Sequence, residues 1–265
     1  MFKIVVCVKA VPDPQKASEI KIDPRTKTLT RANVPLVLNQ LDKHAMEAAL
    51  ELKASLGGEI TAVSMGPPPA AAILKECLAM GADHGVLLSD RAFGGADAYA
   101  TAFTLARGIE KIGSPDLVLC GMASSDGSTE WVAPELGVFL GLPVVTGVKK
   151  IDGSDDKWWQ VEAHIDNGHR LLKVELPVVL AVTRELNTPR NISFSGIIKA
   201  RKKEIATWDF KALGVPESRL GLAGSPTIIS DLRVSESKRE VEILEGTREE
   251  KAEKLVQKLA AAGML

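Results

Sequence analysis

From Lys3 to Gly141 the chain repeats one pattern: a short apolar run without alternation, then a longer stretch with apolar residues at helical spacing. KIVVCVKAV precedes DKHAMEAALELKASLGG, EITAVSMG precedes PPAAAILKECLAMG, HGVLLSD precedes GADAYATAFTLARGIEKIG, and DLVLC precedes WVAPELGVFLG. Strands separated by helices pair in parallel, and apolar runs that do not alternate need cover on both faces. The expected fold class is α/β, a parallel-core sheet with helices on both faces. The punctuation agrees: Gly57 and Gly58 stop the first helix, and prolines open the second.

After this repeat the pattern changes. WWQVEAHIDNGHRLLKVELPVVLAVTREL carries no helical period, and two alternating runs meet at Asn167-Gly168, a strong hairpin signal. These strands, with PVVLAVTREL after them, are expected as antiparallel additions to the sheet or its edge. SEIKIDPRTKTLTRANVP reads as a second small hairpin. From Asn187 onward Pro, Gly, Ser and charge dilute the apolar residues, which predicts residues 1–186 as the α/β domain and 187–265 as an extended C-terminal arm on a partner, the other reading being a tail that wraps its own domain. The last helix opens on a capping box, Thr247 and Glu250, and its stripe Leu255, Val256, Leu259 needs cover.

Lys+Arg number 33 and Asp+Glu 34, a net charge of −1, and aromatic residues make up 4%, so nucleic acid is not an expected partner. No apolar run is long enough for a membrane span, and VVCVKA is too short and too charged for a signal sequence, so a cytoplasmic protein is expected. Cys7, Cys77 and Cys120 are odd in number and lie in apolar stretches, as reduced core thiols do. The histidines show no metal-ligating spacing.

In an open parallel sheet ligands bind at the carboxyl ends of strands, where the order reverses. Four stretches should meet there: Cys7 to Ala10 with Lys9; Asn39, Gln40, Leu41 and Asp42; Ser64 to Pro67 with Met65 and Gly66; and the loop after DLVLC. That loop comprises Gly121, Met122, Ala123, Ser124, Ser125, Asp126, Gly127, Ser128, Thr129, Glu130, Trp131 and Val132. Its glycines permit close approach, its hydroxyls and Asp126 supply hydrogen bonds and N-cap acceptors, and the helix beginning near Trp131 would aim its N–H groups at it. A phosphate would be held there without a lysine; the other reading is a capped connecting loop. The stretch from Ser89 to Thr101 is a second glycine-rich loop, with Asp90, Arg91, Asp97 and Thr101 as candidate contacts. No catalytic constellation appears, so any chemistry belongs to a cofactor.

Several separated motifs, VVCVKAVPD, AVSMGPP, CLAMGAD, the Gly121 loop and LNTPRNISFSGIIKARKK, together resemble the beta (small) subunit of electron-transfer flavoproteins. The resemblance implies a Rossmann-like, adenine-nucleotide-binding sheet and a heterodimer with a larger alpha subunit carrying the electron-transferring FAD, with redox activity only in that complex. It implies a nucleotide site at Cys7, Asn39 to Asp42, Met65 and Gly121 to Val132. Ordinary members hold AMP there; electron-bifurcating members hold a second FAD, reduced by NADH. The MGPP turn, LAMGADHGVLLSDRAFGGADAYAT and Asp42 are similar to the bifurcating branch, which implies FAD, with AMP as the alternative and NAD(H) as electron donor. The chain departs from that branch at Gln40, where a Pro is usual, and at Trp131, where a Gln is usual. NISFSGIIKARKK matches the family's recognition loop, which implies Phe194 as the apolar anchor for acyl-CoA or other dehydrogenases, flanked by Lys199, Arg201 and Lys202. One large apolar residue ringed by polar ones makes a small hot spot, and basic neighbours steer an acidic partner. Two rivals share the sheet class: a stand-alone adenine-nucleotide-binding regulator, which would not need the arm, and an ATP-splitting enzyme, whose Ser-Gly-Gly loop is replaced here by VKAVPDPQ.

Overall fold

The first strand is buried from Ile4 to Cys7, as a strand covered on both faces must be. It belongs to a computed structural model that describes residues 1–19, 21–23, 28–30, 34–153, 157–230 and 241–265. In chain order the elements are β1 (Lys3–Cys7), β2 (Ala10–Pro12), β3 (Lys21–Asp23), β4 (Thr28–Thr30), β5 (Leu36–Leu38), α1 (Gln40–Leu56), β6 (Glu59–Met65), α2 (Ala71–Met80), β7 (His84–Leu88), α3 (Ala98–Ile112), β8 (Leu117–Gly121) and α4 (Val132–Leu140). There follow β9 (Val144–Asp152), β10 (Trp158–Ile165), β11 (Gly168–Glu175), β12 (Val178–Val182), α5 (Phe194–Arg201), β13 (Ile205–Trp208), α6 (Phe210–Leu213), α7 (Gly221–Gly224) and α8 (Arg248–Ala261).

The main sheet has the order β11-β10-β9-β12-β8-β1-β6-β7-β13. Every pairing from β9 to β13 is parallel, and β10 and β11 extend the β9 edge antiparallel. The α/β expectation holds. From β1 the chain steps outward through β6 and β7, then returns to place β8 on the opposite side of β1. The order therefore reverses between β1 and β8, where such sheets leave a crevice.

Alternate side chains of the central strands enter two separate cores. Ile4, Val6, Ile60, Ala62, Leu117 and Leu119 pack under α1 and α2, against Met46, Ile73, Leu74 and Cys77. Val5, Cys7, Val63, Val118 and Cys120 pack under α3 and α4, against Phe103, Ala106 and Leu136.

Three details differ from the sequence reading. β12 is a parallel strand inside the sheet, between β8 and β9, not an antiparallel addition. All five of its residues are buried, the mark of a central strand. β9 had no counterpart in the reading; it follows Gly141, whose left-handed φ of 65° ends α4 and turns the chain into the strand. The β10–β11 hairpin turns at Asp166-Asn167, with Ile165 opposite Gly168, one residue before the expected position. The small hairpin is β3–β4, and its connection, 24–27, lies outside the described residues.

Asn187 to Ser230, grouped above with the arm, belongs to the same compact unit as the sheet, Met1–Ser230. β13 adds the edge strand beside β7, and Leu186 and Ile192 pack on the α1–α2 core. The second unit is Asp231–Leu265. Its α8 begins with the expected capping box: Glu250 N–H donates to Thr247 Oγ1 at 3.2 Å, and Thr247 N–H to Glu250 Oε2 at 2.9 Å. Leu255 and Val256 of its stripe are exposed. Among the described residues no helix is long and apolar enough to cross a membrane.

Candidate functional site

Where the sheet order reverses, the first turn of α1 is fastened to the ends of both β1 and β8. Asp42 is buried, and its Oδ2 accepts the Lys9 N–H at 2.8 Å while its Oδ1 accepts the Gly121 N–H at 3.1 Å. Asn39, at the N-cap position of α1, is also buried. Its Oδ1 accepts from the Ser125 N–H at 3.2 Å, its Nδ2 donates to the Ala123 carbonyl at 2.9 Å, and its N–H donates to the Lys9 carbonyl at 3.0 Å. Asn39 makes no side-chain cap on its own helix; its amide serves the loop instead. Only glycine fits at position 121, because a Cβ there would lie 2.4 Å from Asp42 Oδ1 and 2.7 Å from Leu41 Cβ.

Burial pushes the Asp42 carboxyl up to about 7, against the hydrogen bonds of Asn39, Lys9 and Gly121 and the charge of Lys9, all of which favour the ionised form. The Cys7 thiol is pushed up to about 12, first by burial and then by the Asp42 charge. Its side chain faces the α3–α4 core, so Cys7 meets the site through its backbone.

The loop after β8 is held by the lysine that follows β1. Lys9 Nζ donates to Asp126 Oδ1 at 2.6 Å and to Ser124 Oγ at 3.1 Å. The Ser124 carbonyl accepts from Ser128 N–H at 3.0 Å and Ser128 Oγ at 2.9 Å. Met122 N–H donates to the Val182 carbonyl at 2.9 Å, tying the loop to β12 as well. Ser128 and Glu130 have φ of 46° and 61°, a left-handed conformation that costs non-glycine residues about 1 kcal/mol or more each. The sequence reading placed no lysine in the loop itself; Lys9 reaches it from the end of β1, giving two of its three N–H donors to Ser124 and Asp126. The loop hydroxyls do not cap α4, whose N-terminus has no side-chain cap. Gln40, Thr129, Glu130 and Trp131 are exposed, Trp131 to 63%, whereas Leu41, Met65 and Val132 are half-buried.

The stretch from Ser89 to Thr101 is organised differently. Asp90 caps the turn Arg91–Phe93 through the Ala92 N–H at 2.9 Å, and Arg91 is exposed. Asp97 caps α3: its Oδ1 accepts from Ala100 N–H at 3.0 Å, while its Oδ2 accepts from Thr227 N–H at 3.0 Å and Thr227 Oγ1 at 2.8 Å. Burial alone would raise Asp97, but these donors and Ser225 hold it below the ordinary carboxylate value. Thr101 is a half-buried residue whose N–H continues the helix from the Asp97 carbonyl. This stretch meets α4 at two points: Tyr99 packs edge-on against Phe139, ring centroids 5.0 Å apart, and the Asp97 charge, after burial, helps raise Glu135. Ser225, Thr227 and Glu135 were missed by sequence reasoning. Their partners are distant in the chain, and only the odd acid in WVAPELGVFLG gave any signal.

Phe194 is 79% exposed at the first position of α5, with Ser193 Oγ capping the helix through the Gly196 N–H at 3.0 Å. Lys199, Arg201 and Lys202 are exposed beside it. Ile197 and Ile198 are exposed too, which widens the apolar face beyond the single anchor the sequence suggested.

A protein-family model described as the electron transfer flavoprotein domain matches residues 26–213. The chain is 42% identical over 259 residues to the electron transfer flavoprotein subunit beta of Thermoanaerobacterium thermosaccharolyticum, covering 97% of this chain and 98% of that one. It is 43% identical over 260 residues to the caffeyl-CoA reductase–Etf complex subunit CarD of Acetobacterium woodii, again 97% and 98%. It is 37% identical over 265 residues to the acryloyl-CoA reductase electron transfer subunit gamma of Anaerotignum propionicum, also 97% and 98%.

Proposed function

The chain belongs to the electron transfer flavoprotein family, among its beta subunits, and from that premise we propose that it holds an adenine nucleotide in the loop between β8 and α4 while docked to a larger alpha subunit that carries FAD. One observation carries the reading: Lys9, Asn39 and Asp42 converge on that loop where the sheet order reverses. The residues fit a phosphate-bearing group. α4 presents an N-terminus without a side-chain cap, and the Lys9 side chain is 45% exposed with one donor beyond those given to Ser124 and Asp126. We read the nucleotide as a second FAD, with NAD(H) as donor and electron bifurcation as the working mode; the likeness of MGPP, of Leu78 through Thr101 and of Asp42 to that branch supports this. A bound flavin supplies one- and two-electron redox chemistry. The chain's own residues anchor and orient it: Asn39 and Asp42 fix the loop, and Lys9 offers its charge.

Phe194, Ile197 and Ile198, with the basic residues beside them, serve on this reading as the docking face for an acyl-CoA dehydrogenase or reductase. Two relatives whose names join them to acyl-CoA reductases support that partner class. The test is chromatography of nucleotides released by denaturing the purified heterodimer. Two FAD per heterodimer is the expected result. One FAD and one AMP would replace bifurcation by a simple electron shuttle. No adenine nucleotide beyond the partner's FAD would overturn the site.

A further inference from the structure

Four residues before Phe194 the chain is locked to α1 by contacts that the nucleotide loop does not use. Glu47 lies on the buried face of α1, between Met46 and Ala48, with its side chain 6% exposed. Its Oε2 accepts from Arg190 Nε at 2.9 Å and from the Arg190 N–H at 3.0 Å, and its Oε1 accepts from Arg190 Nη2 at 2.8 Å. One turn earlier, Asn187 Nδ2 donates to the His44 carbonyl at 3.0 Å, and His44 Nδ1 lies 3.0 Å from the Asn187 carbonyl. Burial would raise the Glu47 carboxyl, but the hydrogen bonds and charge of Arg190 hold it below its ordinary value, so it is ionised.

With the Arg190 side chain 46% exposed and only Glu47 buried, the pair is a modest source of stability, since solvent screens the arginine and desolvation of the carboxylate offsets part of the attraction. What the planar fork adds is geometry: two parallel hydrogen bonds fix distance and angle together. Past Arg190, Ile192 packs into the α1–α2 core, and α5 lies so close on α2 that a Cβ at Gly196 would stand 2.3 Å from the Ala79 carbonyl oxygen. In its first turn α1 holds the nucleotide loop through Asp42, five residues or about 7.5 Å along the helix from Glu47. We propose that Glu47 and Arg190 are positioning residues for docking, setting through α1 where the face of Phe194, Ile197 and Ile198 stands relative to the nucleotide loop. This rests on the reading of α5 as the docking face.

The test is steady-state electron transfer between the purified heterodimer and an acyl-CoA dehydrogenase, with nucleotide content measured on each preparation. Glu47→Gln keeps the volume and loses the charge-assisted fork. If about one molecule in ten then presents α5 correctly, the KM for the dehydrogenase rises about tenfold while kcat and nucleotide content stay unchanged. Arg190→Lys, which keeps the charge but not the fork, should lie between this variant and the parent. Asp116→Asn is the control for lost stability alone: Asp116 accepts the Lys3 N–H at 2.7 Å at the opposite end of the sheet, and its loss should leave KM in place. An unchanged KM in Glu47→Gln, or an equal rise in Asp116→Asn, overturns the proposal. Phe194→Ala separates the two layers. If it raises KM and Glu47→Gln does not, the positioning role fails and the docking face survives; if neither does, both fall.

Discussion

Replacing Asp42 by Asn asks what an ionised carboxylate costs in the floor of the site. The folded chain lifts this carboxyl from an ordinary 3.8 to about 7, chiefly by burial. An acid whose folded value is raised binds its proton more tightly in the folded than in the unfolded chain. Its contribution is therefore most favourable below about pH 4 and is lost as pH rises towards 7. Each pH unit in that window is worth about 1.4 kcal/mol, so the whole shift amounts to about 4 kcal/mol. Asn resembles the protonated acid: it keeps one acceptor for the N–H groups of Lys9 and Gly121 and turns a donor toward the other. The Asp42→Asn chain should therefore match the parent near pH 4. It should become progressively more stable than the parent up to pH 7, with a constant lead above that. Urea unfolding of both chains at pH 5, 6, 7 and 8.5, followed by circular dichroism, measures the difference directly. Function should move the other way, since only the ionised carboxylate accepts both N–H groups at once. The variant, although more stable at pH 8.5, should retain less nucleotide in the heterodimer. A stability difference that stays flat with pH, or that grows in favour of the parent, would refute the argument.

Gly121→Ala places a methyl group 2.4 Å from Asp42 Oδ1 and 2.8 Å from the Leu41 carbonyl carbon. Overpacking of about 1–3 kcal/mol should lower the melting temperature and empty the nucleotide site; a variant that melts and loads like the parent contradicts it. Asp126→Ala leaves Lys9 without its carboxylate and the loop without that tie, so nucleotide should be lost during gel filtration, and full retention would remove the loop from the site. In α8, Thr247→Ala removes the capping box at a cost of about 1 kcal/mol, which circular dichroism of a peptide spanning residues 245–263 should register as lost helix.

The parts of this molecule legible in the sequence are those that local physics decides. Unalternating apolar runs marked β1, β6, β7 and β8, and helical spacing marked the helices between them, because burial on two faces or one leaves its trace in neighbouring residues. β12 carried the same trace, yet the hairpin just before it suggested an antiparallel partner; nothing local says that the chain crosses back to lie beside β8. The site divides along the same line. Asn39 and Asp42 were visible as polar residues at a helix start near the expected crevice, but their partners are backbone groups near the ends of two other strands. The bond from Asp42 to Gly121 spans 79 positions and that from Lys9 to Asp126 spans 117, so no spacing rule reaches them. Glu47 is the instructive case. An acid set in the run Ala45, Met46, Ala48 and Ala49, apolar on every side of the helix around it, announces a buried charge, and a buried charge must have a partner. The sequence thus carries the debt but not the creditor: it shows that a long-range contact exists at position 47, and only the fold shows that Arg190 meets it.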